Sequence, residues 1–143
     1  MKFMVEAEIT DDTVANLLCC AFEGGSGYWC RLMDSKAPSG EYVKSYWPHG
    51  SDPDWVDPKY ISYPLSSDGA VICRAVDDYE DETADEEGNY EPLVLNRSAI
   101  ERGLSLMQKN HPRAFADIIS ENEDAETGDI FLQYCLLGEV VYG

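Results

Sequence analysis

The last helical stretch of the chain has no polar face. Residues 130–137 read IFLQYCLL, so apolar side chains would cover nearly every side of the helix that this run forms. A helix that is apolar all round is buried in the core of a globular protein. Gly138 follows it, and glycine commonly closes a helix in the left-handed conformation. The stretch therefore predicts a central C-terminal helix that ends at Gly138.

Strand-like and helical patterns occupy different parts of the chain. One helix is predicted to begin at Asn96 or Ser98, since Ser98 and Glu101 have the spacing of a capping box, and another begins at Pro112. Because strands and helices are segregated, we expect an α+β fold: a mostly antiparallel sheet with one N-terminal helix and a C-terminal group of about three helices. Strand-like runs lie at residues 28–33, 41–47, 60–65, 70–76, 92–95 and 139–143.

The N-terminal part joins a strand pattern to a helix pattern. Residues 2–9 alternate as a half-buried strand does, and Thr10 is a good N-cap for an amphipathic helix that follows. The sequence EGGSGYW (residues 23–29) comes next. A phosphate-binding glycine loop would need a strand before it and a helix after it, and the order here is reversed. We therefore interpret Gly24 as the left-handed cap of the helix, in a turn that directs Tyr28 and Trp29 into a strand.

Length and cysteine usage favour an ordinary intracellular domain. The 143 residues suit a single domain spanning residues 1–143. There is no run of 18 apolar residues, and the first ten residues lack the apolar core of a signal peptide, so a cytoplasmic location is expected. The five cysteines are odd in number and have no CxxC spacing, which favours free thiols over disulfides or a zinc site.

Charge is the strongest feature of the composition. The chain has 28 acidic and 10 basic residues, a net charge of −18. Residues 77–91 contain nine acidic residues and no Lys or Arg, which predicts a solvated, mobile loop. Such a charge repels phosphate backbones and anionic membranes and suits a basic partner protein. Solubility alone is the other interpretation of the same charge.

The residues give little support to catalysis or to metal binding. His49 and His111 stand in no motif, and the acidic stretch does not match a calcium-binding loop. A Cys/His pair that the fold brings together stays open as an alternative. We predict that the protein is not an enzyme and has no catalytic residue, metal or cofactor.

Aromatic residues are concentrated between positions 28 and 63, where eight Tyr and Trp residues occur. They suit a sheet face that packs on helices, a protein-binding surface, or a pocket that stacks a nucleotide-derived ligand. The last of these would need Arg31, Lys44 or Arg74 nearby to neutralise phosphate. The candidate binding residues are Tyr28, Trp29, Trp47, Trp55, Asp78, Glu80, Asp81 and Glu82.

Four stretches carry a resemblance to a family of small acidic proteins encoded by bacteriophages, prophages and other mobile elements. They are LLCCAFEGGSGYW (17–29), AIERGL (99–104), PRAFAD (112–117) and DIFLQYCLLGEVVYG (129–143). The resemblance covers both ends of the chain and omits residues 33–91. It implies a protein made in a bacterial cell by a mobile element, and it transfers no functional residue, since no activity of the family is secure.

Three hypotheses follow from the residues and this resemblance. The first is a non-enzymatic accessory protein that binds a basic surface of a host component, as an inhibitor of host defence whose carboxylates replace DNA phosphates. The second is a protein that binds or sequesters a small nucleotide-like ligand, and the third, ranked last, is an enzyme. Cys19 and Cys20 lie off the apolar stripe of the first helix, which also leaves a homo-oligomer open.

Overall fold

A computed structural model of the chain describes residues 1, 6–36, 39, 42–43, 63–76 and 91–143. A π-helical turn, Ala21–Gly25, continues the first helix. A short 3-10 turn, Tyr63–Leu65, lies before the third strand. The helices are α1 (Asp11–Cys20), α2 (Arg97–Asn110), α3 (Pro112–Ile119) and α4 (Ala125–Leu137), and the strands are β1 (Cys30–Lys36), β2 (Tyr42–Val43), β3 (Ala70–Ala75) and β4 (Leu93–Leu95).

The four strands form one sheet in the order β2-β1-β3-β4. Every neighbouring pair is antiparallel, and β1 is irregular between Leu32 and Asp34, where its register against β3 shifts. Among the described residues, one helix precedes the sheet and three follow it. The predicted α+β class is therefore confirmed. In the ranges that the structure describes, no helix is long and apolar enough to cross a membrane.

Helix α4 lies at the centre of the helical layer, as its apolar sequence predicts. Eight of its thirteen residues are buried, whereas α1 buries three of ten. It contacts α1, the π-turn, α2, α3 and β4. The largest fully buried side chains include Phe131 and Leu132 of α4 together with Trp29 and Met107. Removing apolar surface from water contributes about 25 cal/mol per Å², so the buried Phe131 and Leu132 side chains stabilise the packing of α4 against its neighbours.

Two glycines allow backbones to approach α4 closely. A Cβ atom at Gly103 of α2 would lie 2.3 Å from the Cys135 Sγ atom and 2.9 Å from the Cys135 Cα atom. A Cβ atom at Gly128 would lie 2.8 Å from the backbone nitrogen of Ala21 and 2.9 Å from the carbonyl oxygen of Leu17. Neither Gly103 nor Gly128 has room for a side chain, so both glycines are needed for close packing.

Local signals place most helix ends as predicted. The Thr10 hydroxyl oxygen accepts a hydrogen bond from the Thr13 backbone at 3.2 Å, and Pro112 is the first residue of α3. Of the two candidate caps of α2, it is Asn96 whose side chain accepts from the Ala99 backbone, at 2.8 Å. Gly138 closes α4 with a φ of 77°. These four positions are set by residues within a few places in the sequence, which is why periodicity and capping rules find them.

Four local predictions are wrong. Residues 6–9 and 139–143 have no strand geometry, and Tyr63–Leu65 is a 3-10 turn, where a strand was expected over 60–65. Gly24 has a φ of 170°, so it is not the left-handed cap that was predicted. The helix does not end at this residue, since the chain continues as a π-turn to Gly25. The predicted elements over 2–5, 44–62 and the acidic stretch 77–90 lie outside the described residues.

Candidate functional site

Two polar side chains interrupt the apolar surface of α4. Asp129 and Gln133 are four residues apart, so they share one face of the helix. Asp129 is 9% exposed and Gln133 is fully buried. Buried polar groups of this kind are stable only when their hydrogen bonds are made within the protein. The partners of this face come from the glycine-rich turn and from the C-terminal tail, residues 138–143.

The turn reaches α4 because Gly25 has no side chain. A Cβ atom at Gly25 would lie 2.2 Å from the Ala125 carbonyl oxygen and 2.9 Å from that of Cys20. The Ser26 backbone then donates to the Ala21 carbonyl at 2.8 Å, which closes the π-turn. π-turns often occur where a helix is adapted to a functional site. The result is that Ser26, Tyr28 and Trp29 all face α4.

Asp129 is the common acceptor for this turn. Its Oδ1 atom accepts from the Ser26 hydroxyl at 2.8 Å and from the Trp29 indole nitrogen at 2.7 Å. Its Oδ2 atom accepts from the Tyr28 hydroxyl at 2.6 Å and from the Gln133 amide at 3.2 Å. A carboxylate has about four acceptor positions, so these four donors satisfy it. None of the four donors carries a positive charge, and the negative charge is solvated by dipoles.

Gln133 connects this carboxylate to the C-terminal tail. Its Oε1 atom accepts hydrogen bonds from the backbone nitrogens of Val141 and Tyr142, both at 2.8 Å. Its Nε2 atom donates to the Tyr142 carbonyl at 3.1 Å as well as to Asp129. The backbone groups of the tail therefore bond to the Gln133 side-chain amide in the way that they would otherwise bond to a neighbouring strand. This explains why residues 139–143 have strand-like composition without being a strand.

Trp29 and Tyr142 complete the arrangement by stacking. Their ring centroids are 5.1 Å apart and their planes differ by 9°. Offset stacking at this distance is favourable for aromatic pairs. Trp29 has no exposed surface, whereas Tyr28 is half-buried. The tail thus covers the indole while the Tyr28 ring lies at the edge of the assembly.

A cavity of about 520 Å³ opens beside this assembly. This volume is within the range of small-molecule sites. Its walls come from the turn, from the start of α4, from the end of α2 and from the tail. The side chains and backbones that line it are those of Gly25, Tyr28, His111, Ala125, Glu126, Asp129, Ile130, Gln133, Val140, Tyr142 and Gly143.

His111 is held at one wall of this cavity by a tyrosine. Its Nδ1 atom forms a short hydrogen bond with the Tyr134 hydroxyl, and the two rings meet edge to face with centroids 5.4 Å apart. Burial raises the pKa of Tyr134 above its usual value, so the phenol stays protonated. The partner of His111 in both contacts is Tyr134, which is neither a cysteine nor a carboxylate.

The cysteines are poorly suited to nucleophilic chemistry, which requires the thiolate. Burial raises the pKa of Cys135, and a hydrogen bond with Cys30, followed by burial, raises that of Cys73. Burial also raises the pKa of Cys19 and Cys20, with a smaller contribution from nearby carboxylates. All five thiols are free.

The structure treats the predicted site residues unequally. Tyr28 and Trp29 are brought together at Asp129, but Trp29 is fully buried and cannot contact a partner in this fold. Of the bases considered for phosphate, Arg31 donates to the carbonyls of Gly27 and Cys30. Neither Arg31 nor Arg74 lines the cavity. The other candidates, Trp47, Trp55, Asp78, Glu80, Asp81 and Glu82, lie outside the described residues.

Sequence reasoning missed Ser26, Asp129 and Gln133. The signal that could have found two of them is the polar pair at i and i+4 within an otherwise apolar helix, since such a pair needs partners from elsewhere in the chain. Among the residues that the structure describes, no group of three or more His, Cys, Asp or Glu side chains is placed to bind a metal ion. No protein-family model, curated protein or solved structure matches the chain.

Proposed function

We propose that the protein is a non-enzymatic accessory protein that binds a basic surface of a bacterial host component. The observation that carries this proposal is the charge around the glycine-rich turn. The glycine-rich turn and the helix and tail packed on it lie within residues 11–30 and 120–143, which contain nine acidic residues and no Lys or Arg. Arg31, the next residue, is a basic side chain that contacts the turn, through the Gly27 carbonyl. Over the whole chain the net charge is −18. A bacterial origin and a role against host defence rest on the resemblance of these same segments to proteins of mobile elements.

Three of these acidic residues form what we call the acidic edge: Glu23, Glu123 and Asp124. They come from the π-turn and from the turn before α4, which the contact between Gly25 and Ala125 holds together. All three act on one thiol, because their charges add to burial in raising the pKa of Cys20. Glu23 and Asp124 are exposed, and Glu123 is half-buried.

Such an edge can take the place of nucleic-acid phosphates on a basic protein. Complementary charge accelerates association and selects basic partners, whereas apolar or aromatic contacts supply most of the affinity. Half-buried Tyr28, four residues after Gly24 in the same turn, is the aromatic side chain that we assign to such a contact. The proposal therefore requires binding that weakens with salt and that competes with duplex DNA.

The test is affinity capture from a bacterial lysate, followed by binding measurements on the captured protein at about 50 and 300 mM salt. The test variant carries Glu23→Gln, Glu123→Gln and Asp124→Asn, where asparagine preserves the N-cap of α4. The matched control carries Glu8→Gln, Glu91→Gln and Asp117→Asn, which remove the same charge from exposed positions elsewhere.

We expect the edge variant to bind at least about tenfold more weakly than the control variant, and duplex DNA to displace the chain from its partner. Equal losses in the two triple variants would contradict a specific edge. Salt-independent binding would contradict the electrostatic mechanism altogether. Circular dichroism of both variants checks that each is folded.

The alternative of a nucleotide-like ligand is favoured by one observation, the cavity of about 520 Å³ that Tyr28 lines. Its chemistry does not suit phosphate, because Asp129 and Glu126 line it and, of the residues that the structure describes, no Lys or Arg does. A thermal-shift screen with nucleotides tests this alternative, and stabilisation by any of them would favour it over the interaction hypothesis.

A further inference from the structure

We infer that the cavity beside Asp129 is a binding site for a small organic cation, such as an amine, an amidinium or a quaternary ammonium group. This inference is independent of the acidic edge, since none of its three residues lines the cavity. Four properties of the cavity support such a ligand: its volume, the charge of its walls, the acceptor character of its hydrogen-bonding groups and its aromatic residues.

The charge of the walls selects the sign of the ligand. Asp129 and Glu126 contribute two carboxylates, and His111 contributes one imidazole. The donors to Asp129 are all neutral, and within the described part of the chain no Lys or Arg side chain lines the cavity to cancel the field of this carboxylate. Coulomb interactions are several times stronger in such a partly buried place than in water. A cation gains from this field and an anion is repelled by it.

The hydrogen-bonding groups at the wall favour a donor ligand. The Tyr28 hydroxyl gives its proton to Asp129, so this hydroxyl has no proton left to donate to a ligand. The Glu126 carboxylate is exposed at the first turn of α4 and is also an acceptor. Ammonium and amidinium groups are donors without acceptors, which matches these walls.

The remaining walls suit the organic part of such a ligand. Ile130 and Val140 provide apolar surface, and the rings of Tyr28 and Tyr142 lie at the same cavity. Aromatic rings attract cations through the negative charge of their faces. The tail wall is held in place by three hydrogen bonds to Gln133, two with the Tyr142 backbone nitrogen and carbonyl and one from the Val141 backbone nitrogen. The site is therefore formed before a ligand arrives.

The experiment compares cations with uncharged molecules of the same shape. Benzamidine is paired with benzamide, choline with 3,3-dimethylbutan-1-ol, and putrescine with butane-1,4-diol, and binding to the full chain is measured by titration calorimetry and by protein NMR at low salt. We expect at least one cation to bind about tenfold or more tightly than its neutral counterpart. NMR shifts are expected at residues 25–28, 126–133 and 140–143.

Two substitutions test whether the cavity is the site. Glu126→Gln removes a carboxylate from the wall and is expected to weaken the cation about two- to fivefold. Glu91→Gln removes the same charge from an exposed position outside the cavity and is expected to change the affinity less than twofold. Because both positions are exposed, neither variant should lose its fold.

Equal weakening in the two variants, equal binding of a cation and its neutral counterpart, or no binding by any of the three cations would each overturn the inference. Tighter binding of a nucleotide than of any cation would also overturn it. Loss of partner binding in the acidic-edge variant with cation binding intact would separate this inference from the proposed function.

Discussion

Two sides of helix α4 are stabilised by different interactions, close packing on one side and hydrogen bonds to a buried carboxylate on the other. Toward α2 the contact is close and largely apolar, with Gly103 against the backbone and sulfur of Cys135 and one hydrogen bond, at 3.4 Å, from the Arg102 side chain to the Cys135 carbonyl. Toward the glycine-rich turn the contact is a carboxylate that accepts four directed hydrogen bonds. Apolar packing contributes most of the stability and is not directional, whereas a satisfied polar network selects one arrangement of the groups that form it. Helix α2 therefore stabilises α4 by packing, whereas Asp129 determines which turn and which tail lie against α4.

The largest test of the polar side is Asp129→Ala. It leaves the Ser26 hydroxyl and the Trp29 indole nitrogen without their acceptor, and unsatisfied buried donors together cost about 4 kcal/mol of unfolding free energy. Urea denaturation monitored by circular dichroism measures the loss. The control is Asp117→Asn at an exposed position of α3, expected within about 0.5 kcal/mol of the parent. A loss below 1 kcal/mol for Asp129→Ala would show that the turn does not depend on this carboxylate.

The corresponding test of the apolar side is Gly103→Ala. The new methyl group would meet backbone as well as sulfur, so α2 has to move away from α4, and we expect a loss of about 3 kcal/mol. Gly24→Ala is the matched control, since nothing lies within 4 Å of a Cβ atom there. If both variants lose the same amount, close approach at Gly103 is not what limits the substitution.

The buried thiols of Cys135 and Cys73 make the free energy of unfolding depend on pH. The pKa of Cys135 and that of Cys73 are raised in the folded chain, so unfolding releases protons above the usual thiol pKa of about 8.5. Stability is therefore complete below that pH and falls as pH rises, by about 1.4 kcal/mol per thiol at pH 9.5. Urea denaturation of the parent and of Cys135→Ala at pH 7.5 and 9.5 measures the difference.

The parent is expected to lose more stability over this interval than Cys135→Ala does, by the contribution of one thiol. The comparison uses the change with pH within each protein, so the packing loss of the substitution itself does not enter. An identical dependence in the two proteins would contradict the role of Cys135.

The smallest expected effect is that of Tyr142→Ala, which removes the stack on Trp29. Aromatic pairs of this geometry contribute about 1 kcal/mol, and the backbone hydrogen bonds from Gln133 to the tail remain in place. Hydrogen exchange at residues 141 and 142 is the sensitive measurement, since it reports local opening that a global unfolding curve does not. Tyr63→Ala, at a half-buried tyrosine of the 3-10 turn, is the control and should leave exchange in the tail unchanged.

Sequence reasoning found the features that depend on neighbours in the chain. Thr10, Pro112 and Gly138 mark helix ends because capping is decided within one turn of the helix. The central position of α4 also follows from its own composition. These signals are local, so one sequence is enough to read them.

The site depends on distant partners, and sequence reasoning did not find Ser26, Asp129 or Gln133. Asp129 lies 103 positions from Ser26 and 100 from Trp29, and no periodicity connects them. The tail has the composition of a strand, but Gln133 takes up its backbone groups. Trp29 stays a candidate binding residue in the sequence, because an aromatic residue in a glycine-rich turn has the same sequence signature whether it faces solvent or a buried carboxylate.

The hydrogen bonds of Gln133 to the tail have a consequence for synthesis of the chain. Ribosomes release a protein from its N-terminus, so Trp29 leaves the exit tunnel long before Asp129, Gln133 and Tyr142 do. Until then its indole nitrogen has no acceptor from α4 and its ring has no cover. The N-terminal helix and turn can therefore reach their final arrangement only after residues 129–142 have left the tunnel, and a chain cut off before residue 129 would expose Trp29 to proteases and chaperones.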